Sequence, residues 1–186
     1  MTARRRQRVR QLLLAAVLVV VASMLPACDK KHESTQQPST STTPDATAAS
    51  RDVLTTYDNW LTAYNKIAAR GYVAATDDAV LKQYIVEPNL TKTTDGLKKL
   101  VELNVVRRGA PTWTDRVTAL NLDANPATAA LEVCYDQTHY ESVDKTTGEN
   151  LTAPNQLLRY KLAVSAKRVN GRWYISEETA QRNTAC

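Results

Sequence analysis

At 186 residues, with few glycines (5) and prolines (7), the chain has room for one domain and fits neither a fibrous nor a wholly disordered class. Its formal charge of +5 suggests nucleic acid or an acidic surface as partner, but Arg4, Arg5, Arg6, Arg8 and Arg10 all precede the first acid, and the rest carries 19 basic against 19 acidic residues. With the remaining signs balanced and interspersed, the clustered cationic excess that phosphate neutralisation needs is missing, and no nucleic-acid partner is expected.

The first element is a leader. The basic stretch "MTARRRQRVRQ" is followed by the mostly apolar run Leu12 to Met24 and then by "LPAC", which brings Pro26 and two small side chains. That order is the layout of a secretory signal peptide over residues 1–27. The run is short of the roughly 20 apolar residues of a membrane span, although counting on to Ala27 leaves an uncleaved anchor as an alternative, with ordinary secretion as another. Arg4 to Arg6 could open a twin-arginine signal, but nothing like the rest of that motif follows.

The string Leu25, Pro26, Ala27, Cys28 resembles the lipobox of bacterial lipoproteins. The resemblance implies that the Cys28 thiol receives diacylglycerol, that cleavage makes Cys28 the new N-terminus, and that further acylation, palmitate included, completes the anchor. The lipid bilayer is then a partner through acylated Cys28, and the protein sits on the extracytoplasmic face of the cell membrane. Two or three acyl chains hold far more firmly than one, because each buried methylene adds about 0.8 kcal/mol.

Residues 28–49 contain no large apolar side chain and read as a disordered Ser/Thr/Pro tether spanning on the order of 25 Å. His32, among Lys and Glu, reads as solvent-exposed. The Ser and Thr content leaves O-glycosylation open.

The folded domain is expected over residues 50–186. Val53, Leu54, Tyr57, Trp60, Leu61, Tyr64, Ile67 and Ala68 recur at helical spacing between Ser50, a suitable N-cap, and Gly71. A second helix follows Thr76, with Asp77 and Asp78 in its first turn, Val80, Leu81, Tyr84 and Ile85 on its apolar face, and Pro88 at its end. A third is expected from about Asp95 to Arg108, with Leu97, Leu100, Val101 and Leu103 or Val105 inward and Gly109 as terminator.

After "GAPTW" the period changes to two. "DRVTALNLD" and "TAALEVCYDQTHYESV" read as strands joined at "ANPA", and the second turns at "KTTG". "LLRYKLAVSAKRV", "NG" and "RWYISEETA" read as a hairpin, because Asn170 and Gly171 suit the left-handed angles of a two-residue turn. Pairing Val169 with Arg172 places Ala166 opposite Ile175, Val164 opposite Glu177 and Leu162 opposite Thr179 on the core side.

Three N-terminal helices packed on a curved antiparallel sheet make an α+β domain. That order, the strand "EVCYD", the turn "DKTTG" and the terminal "GRWY" strand resemble the nuclear transport factor 2-like superfamily, and more narrowly its extracytoplasmic lipoproteins from Gram-positive bacteria. The resemblance covers about residues 50–186. It implies a cone, in which a bent sheet and its helices enclose a pocket, and a family that includes isomerases, dehydratases and non-catalytic scaffolds.

With Cys28 lipidated, Cys134 and Cys186 remain as an even pair where disulfides persist, which favours a bridge pinning the C-terminal tail to the sheet; two free thiols are the alternative. Cys-x-x-Cys spacing is absent and the chain has two histidines, so neither a redox pair nor a metal site nor any other cofactor is expected.

Candidate chemistry lies on the sheet. Leu131, Val133, Tyr135, Gln137, His139 and Glu141 share one face of their strand, and Glu132, Cys134, Asp136, Thr138 and Tyr140 the other. Glu177 falls among core side chains, where an ionised carboxylate is costly unless paired or wetted. An inward Glu177 with His139, Tyr135 or Asp136 nearby could act as a general base and its partner. The alternative is a Glu177 that reaches solvent and pairs with a cation, and a solvent-exposed His139. Trp60, Tyr57, Tyr64, Trp113 and Trp173 read as core before ligand-stacking groups. The expected function is therefore a membrane-anchored, non-catalytic binding or scaffold domain for a small ligand or a cell-envelope protein. A small-molecule isomerase, dehydratase or carrier using the cone pocket is the alternative, and a part in a secretion or conjugation assembly is a third.

Overall fold

A computed structural model describes residues 45–186. The expected signal peptide, the lipidation site Cys28, His32 and the tether up to residue 44 lie outside the described residues. Three helices, α1 (Ala46–Arg70), α2 (Ala74–Leu81) and α3 (Asn89–Glu102), precede six strands: β1 (Val105–Gly109), β2 (Thr112–Asn121), β3 (Thr128–Asp136), β4 (Tyr140–Asp144), β5 (Arg159–Val169) and β6 (Arg172–Gln181). The class is α+β. None of these helices is long and apolar enough to cross a membrane.

α1 carries the apolar stripe expected of it, burying Val53, Tyr57, Trp60, Leu61, Ile67 and Ala68. It starts four residues before Ser50, because the Asp45 side chain accepts the Thr47 N–H and caps the first turn. Gly71, at φ 94°, ends it.

α2 is shorter than the apolar spacing suggests. Asp77 is fully buried, where it accepts hydrogen bonds from Arg70 and from the Val73 N–H at 2.7 Å. Burial pushes this carboxyl up, but those bonds outweigh it and hold Asp77 below the usual carboxylate range. Tyr84 and Ile85 lie beyond the helix and run beside β6, with Ile85 bridging Ile175 in parallel. That short contact covers part of the outer edge of a sheet that would otherwise present unpaired backbone groups.

The third helix differs most from its expected span. Asn104, at φ 54°, turns the chain just after Glu102 and is held there by its amide, which donates to Asp144 and Thr146. Val105 and Val106 then pair as β1 instead of extending a helix to Arg108. Leu97 is buried and Leu100 partly so, but Val101 (51 % exposed) and Leu103 (56 %) face solvent. The inward line is Asn89, Thr93 and Leu97, one residue every turn, and its polar members conceal it from a hydrophobicity pattern.

The strands form two antiparallel sheets: a four-stranded one in the order β2-β3-β5-β6 and a two-stranded one of β1 and β4. A single meander was the expectation. The break comes at Asp136, whose carboxylate accepts both the N–H and the hydroxyl of Thr138, an Asx-type turn that stops β3. β4 then starts in the opposite phase, so Tyr140 and Val143 are buried while His139 is exposed. The face expected to run from Leu131 to Glu141 therefore holds only as far as Gln137.

The β5–β6 hairpin turns at Asn170 and Gly171, both with positive φ, and pairs Val169 with Arg172 and Ala166 with Ile175 as expected. Beyond that pair β6 bulges: Ser176 has no partner of its own, its hydroxyl donates to the Ser165 carbonyl at 3.2 Å, and Glu177 pairs with Ser165. Glu178, not Glu177, then stands opposite Val164, and Ala180, not Thr179, opposite Leu162. Thr118 makes a similar bulge in β2, donating to the Ala130 carbonyl.

Candidate functional site

A cavity of about 250 Å³ lies between α1, α3 and the inner face of the strands. α1 contributes Trp60 and Tyr64, one turn apart, with ring centroids 6.2 Å from one another. Tyr57, a turn earlier, packs its ring against Trp60 in a tilted arrangement, with centroids 5.5 Å apart. The sheet answers with Tyr135 and Tyr160, a directly opposed β3–β5 pair whose rings lie 5.6 Å apart. The cavity is therefore walled by rings from α1, β3 and β5, a surface suited to flat or apolar molecules.

Glu178 reaches this cavity because of the Ser176 bulge. Tyr57 donates its hydroxyl to the Glu178 carboxylate at 3.1 Å, and the Lys92 ammonium, from α3, donates to the Glu178 carbonyl at 2.6 Å. Burial raises the Glu178 carboxyl from its ordinary 4.5 to about 7, only partly offset by the Tyr57 bond and the Lys92 charge. Burial likewise pushes the hydroxyls of Tyr57, Tyr64, Tyr135 and Tyr160 upward, so all four stay protonated.

Two guanidiniums complete the lining. Arg107, from β1, lies over the Tyr140 ring at 5.2 Å and donates to the Ser142 hydroxyl at 2.8 Å. Arg182, just past β6, lies over the Tyr160 ring at 4.8 Å. Among the described residues neither has a carboxylate within ion-pair distance, although Arg70, Arg108, Arg116 and Arg159 all do. Three buried donors of lining residues also lack a partner in the protein: Trp60 Nε1, Asn89 Nδ2 and Arg107 Nε.

Of the four acid–base candidates, Glu177, His139, Tyr135 and Asp136, the structure brings only Tyr135 to this cavity. Glu177 is exposed on the opposite face of β6, and His139 is exposed in the turn before β4. Asp136 serves that same turn and pairs with Arg159 at 3.3 Å; its hydrogen bonds from the Thr138 side chain and N–H hold it below the usual carboxylate range. Cys134 and Cys186 lie away from the cavity and at disulfide distance, with their sulfurs 2.14 Å and their Cα atoms 5.7 Å apart. Among the described residues, no three His, Cys, Asp or Glu side chains converge as a metal site would require.

The site residues missed by sequence reasoning are Glu178, Lys92, Arg107 and Arg182. Arg107 was hidden by the overlong third helix, and Glu178 by the bulge. The available signal for the bulge was negative: after Ile175 the run Ser-Glu-Glu-Thr has no apolar residue to fix its phase, and strand register is loosely specified in such stretches.

No family model matches the sequence, and no curated protein does. Among solved structures, the chain is similar to the intermembrane space region of the chloroplast protein ARC6, at 14% identity and a TM-score of 0.44, over 74% of this chain and 97% of that one.

Proposed function

We propose that this chain is a lipid-anchored, extracytoplasmic binding protein whose folded domain takes a small ligand into the pocket between α1, α3 and the sheet without converting it. The anchor rests on the leader and on Cys28 at its lipobox-like end. Cys134 and Cys186 at bonding distance suit the oxidising side of a membrane. A cone of the nuclear transport factor 2-like kind belongs to the same reading, supported by helices packed against the inner face of antiparallel sheets. A cell-envelope protein remains a partner open to a tethered domain of this type.

The ring-walled pocket is the observation that carries the reading. Its lining includes one carboxylate, Glu178, and no histidine, cysteine or serine. Gly96 provides the test, since it stands at the rim of the pocket and a Cβ there meets nothing within 4 Å. Gly96→Phe is expected to obstruct the pocket while leaving stability level or slightly raised, because glycine inside a helix costs about 0.5–1 kcal/mol relative to alanine. Small-molecule binding by the full chain, followed by ligand-observed NMR, should disappear in this variant; unchanged binding would refute the pocket as the site.

A second reading is favoured by Glu178 alone: a carboxyl that titrates near neutrality beside tyrosine donors is suited to moving a proton on a bound molecule, as an isomerase or dehydratase would require. Glu178→Gln separates the two. Loss of turnover with retained binding supports the enzyme, whereas a wild-type protein that binds but turns over none of its ligands leaves the binding reading standing.

A further inference from the structure

Resting on the pocket reading above, we infer that the ligand is a small carboxylate carried on a flat or apolar body, with its acid group held by Arg107 and Arg182 and its body between the rings of α1 and those of the β3–β5 pair. The four faces of Trp60, Tyr64, Tyr135 and Tyr160 offer little to a sugar or an inorganic ion and much to a ring or short hydrocarbon chain. At about 250 Å³ the cavity falls just below the usual range for small-ligand sites, roughly 300–1,000 Å³, which points to a single ring or a short chain.

The polar complement is one-sided. Arg107 and Arg182 are drawn onto tyrosine faces and not onto acids, so each guanidinium keeps donors free for a planar carboxylate, which it matches in a forked geometry. Trp60 Nε1, Asn89 Nδ2 and Arg107 Nε are all unpaired donors, and an acceptor-rich guest is what such a lining lacks. The one opposing group is Glu178, which is hydrogen-bonded to Tyr57 and Lys92 and lines the same cavity as the two guanidiniums. A neutral Glu178 would sit comfortably beside a monoanion, whereas a phosphate-type dianion would add repulsion once Glu178 ionises.

The test uses the full chain in lipid nanodiscs and four related probes: 3-phenylpropionate, its neutral amide, 3-phenylpropylamine and phenyl phosphate. Affinities are read from tryptophan fluorescence and saturation-transfer NMR. The carboxylate is expected to bind at least about tenfold more tightly than its amide, the usual worth of a charge-assisted hydrogen bond. Arg107→Ala and Arg182→Ala should each weaken the acid by roughly tenfold while changing the amide less than about twofold. Arg108→Ala, which removes an exposed side chain paired with Glu141, should change neither. At pH 8, Glu178→Gln should bind the carboxylate more tightly than wild type. Because Arg182 is exposed, its variant keeps the question open to test even if Arg107→Ala folds poorly. Equal binding of acid and amide, tighter binding of the amine or the phosphate, or equal losses for acid and amide in the arginine variants would overturn the carboxylate while the pocket reading stands. If no probe gives a signal that Gly96→Phe removes, the pocket reading falls, and this inference with it.

Discussion

Replacing Glu178 with Gln is expected to raise the stability of the domain by roughly 3 kcal/mol at pH 8 and to leave it nearly unchanged at pH 4. The unfolded chain releases this proton near the ordinary 4.5, and the folded protein holds it to about 7. Below 4.5 both states are protonated and the wild type has its full stability. Between 4.5 and 7 the unfolded state ionises first, so stability falls with rising pH; above 7 the loss is complete and constant. The substituted amide mimics the protonated form, still accepts from Tyr57, and escapes the loss. Asp77 has the opposite sign, since its depressed affinity contributes stability above its unfolded value that is lost as pH falls. Wild type should therefore be most stable on the acid side of neutrality, and the variant's maximum should broaden toward higher pH. Urea unfolding from pH 4 to 9 measures this, and parallel profiles for the two proteins would show that Glu178 is not held protonated by the fold.

Separating Cys134 from Cys186 should cost about 4 kcal/mol. Their positions are 52 residues apart, and closing a loop of that length in the unfolded chain removes entropy of that order. The replacement Cys134→Ser should lower stability accordingly, and a reductant should do the same to wild type but not to the double Ser variant. A wild-type midpoint indifferent to reductant would contradict the link. The loss should reach the pocket as well. Arg182 lies only four residues before Cys186, and the tail between them is otherwise held by a backbone bond from Lys161 to Thr184. A freed tail lets Arg182 leave the Tyr160 ring, so weakened carboxylate binding should accompany the fall in stability.

What was legible in the sequence was whatever rests on unbroken apolar periodicity. α1 could be read because its inward residues are large and apolar. The inner face of β3 and β5 could be read because Leu131, Val133 and Tyr135 alternate with polar or small neighbours, as do Tyr160, Leu162 and Val164. The Asn170-Gly171 turn was legible because few residue pairs accept its backbone angles. The illegible parts are those decided by polar side chains bonding to nearby groups. Asn104 ends a helix, Asp136 breaks a strand, and Ser176 and Thr118 stabilise bulges with their hydroxyls. Such bonds add an extra residue or a turn without disturbing hydrophobicity, and each shifts everything downstream. The pocket inherited both kinds of outcome: its rings were foreseeable as buried aromatics, whereas Arg107, Glu178 and Arg182 all follow one of these local breaks.

The Ser176 bulge also decides how the chain tolerates a change of frame. If the bulge were ironed out, Glu177 would take the place opposite Val164; if Ser176 were deleted, Glu178 would stay there in a regular strand. Adjacent glutamates thus deliver a carboxylate to the pocket either way. The C-terminal tail has no such redundancy, because an ironed strand advances it by about 3.3 Å along its partner. Residues 182–186 would have to take up that displacement for Cys186 to stay at disulfide distance from Cys134.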